Sequence, residues 1–186
     1  GDAARRWALL LALGVMAMLA LTGAAGHVRL QYDRAALLAG EWWRLLTAHL
    51  VHLGPRHLLF NLGGLALLGL LFGREYSVAH WSIIVLLSMA AVDAGLWLLE
   101  PQVVWYVGAS GVLHGVWAAG ACAQLRRAHW PSALPLLLLL AKIALEQWRG
   151  ASAVLGELPV IVAAHWYGAI GGTLFALPRS IARKWL

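Results

Sequence analysis

Ser110 is flanked by small residues in Gly108-Ala109-Ser110-Gly111-Val112. A serine hydroxyl is a poor nucleophile at neutral pH until a neighbouring imidazole takes its proton. The chain offers imidazoles elsewhere, at His57 and His165, and an amide at Asn61 four residues beyond His57. Attack on a carbonyl creates an oxyanion, which fixed N–H donors stabilise. A hydroxyl, an imidazole and an amide donor are the parts of a serine hydrolase.

The elements that must position these groups are helices in a membrane. Of 186 residues, 62% are hydrophobic and 12% charged, and the mean hydropathy is +0.76. A soluble domain is about half apolar and about a quarter charged. The expected fold is therefore all-α, one membrane domain over residues 1–186. A bilayer core takes roughly 20 apolar residues per helix. Six stretches qualify: about 6–22, 57–73, 78–99, 105–125, 132–148 and 158–177. A signal peptide is the alternative for the first, since Arg5 and Arg6 precede its apolar run and Thr22-Gly23-Ala24-Ala25 follows. Its removal would leave an odd number of spans.

Charge sets the direction. With both termini cytoplasmic, the inner ends hold Arg5, Arg6, Arg74, Arg126, Arg127, Arg179, Arg183 and Lys184, against the acids Asp2 and Glu75. The outer side holds Arg29, Arg34, Arg44, Arg56 and Arg149 with most of the acids. The positive-inside rule favours this orientation. It places the long connection at about 23–56 outside, where it can lie on the membrane surface. Basic residues come in ones and twos at helix ends, so the net charge of +6 forms no stripe for nucleic acid. Cys122 is the sole cysteine, which excludes an internal disulfide and a cysteine-rich metal site. Eleven Trp and four Tyr suit interfacial anchoring.

The polar groups then share one depth. Ser110 precedes Arg126 by 16 residues, His165 precedes Arg179 by 14, and Asn61 and His57 precede Arg74 by 13 and 17. At about 1.5 Å per residue, all four lie roughly 20–25 Å above the inner boundary. Polar groups at such depth normally face a bundle interior or a water-filled cavity. Gly111 and Gly115 on the fourth span, and Gly168 and Gly172 on the sixth, have the small-xxx-small spacing that lets helices approach.

At these residues the sequence resembles the rhomboid intramembrane serine proteases. Trp43-Arg44 followed by His52, His57 and Asn61 looks like the family's first loop and second helix. GASG at 108–111 looks like its nucleophile motif, and Ala164-His165 with Gly168 and Gly172 like its sixth helix. The short chain and GASGVLHG at 108–115 further resemble the rhombosortase subgroup. The resemblance implies a six-helix rhomboid-like bundle in a bacterial inner membrane. It makes Ser110 the nucleophile and His165 the base, a dyad without a third carboxylate. His57, Asn61 and the Ser110 backbone N–H would form the oxyanion hole. Many rhomboids carry Tyr four residues after the serine; here that position is His114, which can stack on the base, donate a hydrogen bond or compete as base. Gly108, Gly111 and Gly168 would support the site. No cofactor is implied. The implied partners are the lipid bilayer and membrane-anchored proteins with a C-terminal transmembrane tail bearing a Gly-Gly-type motif.

Other polar residues read more simply. His49 and His52 are i,i+3, but no HExxH motif or acidic cluster accompanies them, so they read as loop or interface residues and no metal is expected. Asp93 is the single aspartate deep in a span, whereas an aspartyl dyad needs two. Lys142 and Glu146, i,i+4 on the fifth span, read as a local ion pair. Asp33, Glu41, Glu100 and Glu157 read as solvated loop charges. Two other functions compete with the protease. A non-catalytic escort protein of the same fold would not need both Ser110 and His165. A transporter would need polarity along a whole path, whereas this polarity is confined to one layer.

Overall fold

The structure is a computed structural model that describes residues 2–127, 129–149 and 161–182, without the side chains of 24 and 177–182. Among the described residues the α-helices are α1 (Asp2–Ala20), α2 (Gly23–Leu30), α3 (Arg34–Leu38), α4 (Arg44–Thr47), α5 (Pro55–Phe72), α6 (Val78–Leu99), α7 (Ser110–Leu125), α8 (Leu134–Arg149) and α9 (Ala163–Ala182). Two short strands, β1 (Tyr32–Asp33) and β2 (Trp105–Tyr106), pair antiparallel with Tyr32 opposite Tyr106. A 3₁₀ turn at Trp130–Ala133 precedes α8.

A long helix occupies each of the six apolar stretches. Among the described residues, α1, α5 and α6 are long and apolar enough to cross a membrane. The leucines of α5 face outward at Leu59, Leu67 and Leu70, as expected of helices solvated by lipid. In lipid a helix satisfies its own backbone hydrogen bonds, which is why these runs fold this way.

Two boundaries differ from the hydropathy reading. The fourth span was expected from about 105, but α7 starts at Ser110. Trp105 and Tyr106 pair instead with Tyr32 and Asp33, and Gly108 adopts φ +114°, a value no right-handed helix contains. The sixth was expected from about 158. Residues 158–160 lie outside the described residues, as do Glu157, Arg183 and Lys184, and α9 begins at Ala163. Both shifts put Ser110 and His165 in first turns.

The helix α7 is the centre of the bundle, and its most extensive contact is with α9. The seam is made by glycines. A Cβ placed on Gly168 would land on the Gly111 carbonyl, and one on Gly172 on the Gly115 carbonyl. The close approach expected from the small-xxx-small spacing is therefore present. Leu68, Phe72, Ile84, Val116 and Phe175 fill the core towards one end. Tyr32, Leu37, Ala48, Val92, Leu96, Tyr106 and Ala164 fill it towards the other.

The long connection between α1 and α5 is folded into the protein rather than merely laid on a surface. Tyr32, Leu37, Ala48 and Val51 in it are fully buried. Buried Arg44 ties it together, donating to Glu41 Oε2 (2.7 Å) and to the carbonyls of Val28 (2.7 Å) and Gln31 (2.8 Å). Arg34 reaches the end of α6 and donates to the carbonyls of Leu96 (2.7 Å), Trp97 (3.2 Å) and Glu100 (3.2 Å). These carbonyls have no partners within their own helix, and a cation there also matches the helix dipole. Asp33 and Glu41, expected to be solvated, are engaged: Asp33 accepts from the Ala36 N–H at 2.9 Å, and Glu41 holds Arg44. Glu100 accepts from Tyr167 at 2.9 Å.

Candidate active site

The turn before α7 presents Ser110. The Gly108 N–H donates to the Ala48 carbonyl at 2.9 Å, and the Tyr106 hydroxyl donates to the Gly108 carbonyl at 2.8 Å. These bonds hold the positive φ of Gly108, after which the chain turns directly into helix. As the first helical residue, Ser110 has a backbone N–H with no partner in its own helix. That N–H lies at the positive end of the helix dipole, where developing negative charge is stabilised.

The imidazole expected to act as base lies in the first turn of α9. His165 is 2% exposed, and its Nε2 stands 3.0 Å from Ser110 Oγ. Its Nδ1 stands 2.8 Å from Glu146 Oε2. A carboxylate accepts only, so Nδ1 carries the proton and Nε2 is left bare towards the hydroxyl. This is the tautomer a general base needs. The family resemblance implied no third carboxylate; in the structure the Glu146 carboxylate stands against the imidazole. The local ion pair read for Lys142 and Glu146 is present, but Glu146 also crosses to α9.

The role of His114 narrows. Its ring stacks on His165, with centroids 4.0 Å apart and 12° between planes. Its Nδ1 donates to the Ser110 carbonyl at 2.6 Å, and its Nε2 accepts from the Lys142 ammonium at 2.9 Å. Both nitrogens are occupied, so His114 stacks and hydrogen-bonds and has no free lone pair for the Ser110 proton. His114, Glu146 and His165 also present atoms close enough for a metal ion, all within 4.8 Å. Two of these groups, His114 and Glu146, hold the ammonium of Lys142.

On the other side of Ser110, α5 brings His57 and Asn61, both buried. A Cβ on Gly108 would come 2.8 Å from His57 Nε2, so only glycine lets the nucleophile loop lie against this ring. His57 Nδ1 accepts from the Leu53 N–H at 3.4 Å, which puts the ring proton on Nε2. Asn61 Nδ2 is buried and has no partner among the described residues. A buried amide N–H without a partner is uncommon and calls for an explanation.

Several arrangements were not foreseen. His49, read as a loop or interface residue, is fully buried, 3.3 Å from Asp93 and edge-on to Tyr106. His52 is buried against the His57 ring at 5.1 Å, with both of its own nitrogens unpartnered among the described residues. Burial, then the neighbouring His57 and His27, pushes its pKa down to about 4. The signal that could have found Glu146 was its spacing. Leu139, Ile143 and Glu146 lie on one helical face of α8, and all three are buried.

Residues 39–181 match the Rhomboid domain family. The protein named "Putative rhomboid protease YdcA" of Bacillus subtilis (strain 168) is 36% identical over 77 residues, 41% of this chain and 39% of that protein. Rhomboid protease GluP of the same organism is 31% identical over 83 residues, 45% of this chain and 16% of that protein. The matched stretches thus span well under half of either relative. With most of its length inside the domain, and with the nucleophile loop and the glycine-lined helix pair built as described, this membrane protein belongs to the rhomboid family.

Proposed function

We propose that this protein is an intramembrane serine protease that cuts membrane-anchored proteins near the outer face of the membrane. The approach of His165 Nε2 to Ser110 Oγ at 3.0 Å carries the reading. In this mechanism Ser110 Oγ attacks a peptide carbonyl carbon while its proton passes to His165 Nε2. The carbonyl π electrons move to the oxygen, which the Ser110 N–H, Asn61 Nδ2 and the His57 ring N–H stabilise. Collapse expels the amine, which takes the proton from His165, and water then releases the acyl group by the same steps in reverse.

The likeness to rhombosortases extends the proposal to the substrate: a C-terminal tail with a Gly-Gly-type motif, an apolar helix and basic residues. Six spans with both termini cytoplasmic, in a bacterial inner membrane, complete it. The charge distribution supports that orientation.

Purified protein in liposomes, incubated with membrane-anchored candidates carrying such tails, tests the reading. Ser110→Ala and His165→Ala are expected to lose nearly all cleavage. Asn61→Ala is expected to lower kcat about 10²–10³-fold, the usual effect of removing one oxyanion donor. Unchanged turnover by Ser110→Ala ends the protease reading. Tail binding without turnover in the wild type favours the escort reading instead.

A further inference from the structure

We propose that Glu146 is a positioning residue for His165, and that Lys142 makes a carboxylate, not merely a hydrogen-bonding group, necessary at position 146. The inference rests on the Ser110–His165 reading above and goes beyond it.

The argument starts from the two oxygens of Glu146. One accepts from Nδ1–H of His165 at 2.8 Å, and the other is paired with the Lys142 ammonium. An ammonium has only donors. It therefore demands an acceptor from whatever stands at 146. The Lys142 ammonium is itself fixed from a second side, because it donates to His114 Nε2 at 2.9 Å. His114 is fixed in turn by the Ser110 carbonyl and by stacking on His165. The network closes on itself, and each hydrogen has one place.

A carboxylate satisfies both neighbours. A glutamine of the same shape cannot do so without cost to the base. Lys142 draws the amide oxygen, which turns the amide NH₂ towards His165. Nδ1 must then accept, the ring proton moves to Nε2, and Nε2 can no longer take the Ser110 proton. In the wild type the proton leaves Ser110 Oγ for Nε2, while the Nδ1 proton stays on the ring and Glu146 remains a carboxylate throughout.

The role separates from mere structural support because it predicts a rescue. Removing Lys142 frees the glutamine amide to rotate and present its oxygen to Nδ1. Phosphonylation by a fluorophosphonate probe reads this directly: Ser110 Oγ bonds to phosphorus, fluoride leaves, and the hydroxyl proton passes to His165. Glu146→Gln is expected to lower the maximal labelling rate at least a hundredfold, with little change in the probe concentration giving half that rate. Glu146→Asp keeps the carboxylate and is expected to lose less. Glu146→Gln combined with Lys142→Met is expected to label at least tenfold faster than Glu146→Gln alone. Nitrogen-15 spectra of labelled histidine are expected to show His165 protonated at Nδ1 in the wild type.

Labelling of folded Glu146→Gln at the wild-type rate overturns the proposal, as does a double variant no faster than the single one. Should Glu146→Gln fail to fold, the wild-type spectrum decides, and a His165 protonated at Nε2 overturns it. Labelling of Ser110→Ala at the wild-type rate removes the serine-nucleophile reading itself, and the Glu146 proposal with it.

Discussion

Gly108 shows how one missing carbon shapes the site. Its φ of +114° is accessible to glycine and costly for other residues, and a Cβ there would meet the His57 ring. Gly108→Ala is expected to cost about 1–3 kcal/mol of stability, the usual scale of backbone strain, and to displace the His57 ring. Thermal unfolding alongside fluorophosphonate labelling checks both effects. His52 makes a different prediction. Its pKa in the folded protein is pushed down to about 4, against about 6.5 when unfolded. The unfolded chain therefore binds the proton more readily, and stability falls as pH drops from about 6.5 towards 4. Over that window the loss is on the order of 3 kcal/mol. His52→Phe keeps a ring against His57 without the titration, so its melting temperature is expected to vary less between pH 7 and pH 4.5. Ser110, His165, His57 and Asn61 could be singled out because each sits in a short local motif. Glu146 and Asp93 were read only in part, because their partners lie 19 and 44 residues away. An i,i+4 pair within one helix is visible in a sequence, but a contact between two helices depends on how each is rotated.

At the scale of elements, the α7–α9 seam decides whether His165 meets Ser110. A Cβ on Gly168, three residues beyond His165, would strike the carbonyl of Gly111, one residue beyond Ser110. Gly168→Ala is expected to cost about 1–3 kcal/mol by overpacking. It also separates the two first turns, so Ser110 labelling is expected to fall at least tenfold. Gly14→Ala is the control, since a Cβ on Gly14 meets nothing within 4 Å, and neither property should change. The long helices were legible from hydropathy, which lipid enforces over whole turns. The outer connection was not. Its helices α2, α3 and α4 have eight, five and four residues, too short to persist without tertiary support. That support comes from distant groups: Arg34 at the end of α6, and Tyr32 against Tyr106.

For the whole molecule, the proposed orientation has its own test. In a background lacking Cys122, cysteines placed at Arg126 and at exposed Trp42 should differ in labelling by a membrane-impermeant maleimide in intact cells. Trp42→Cys is expected to react and Arg126→Cys only after lysis. The reverse pattern would turn the protein over and put the nucleophile near the cytoplasm.

The glycine seam bears finally on how this protein fails when heated. Main chain abuts main chain between α7 and α9, with no intervening layer of side chains that could loosen first. The reacting pair should accordingly keep its alignment until the bundle itself comes apart. Loss of fluorophosphonate labelling at Ser110 on warming and loss of helical circular dichroism are then expected to trace a single curve.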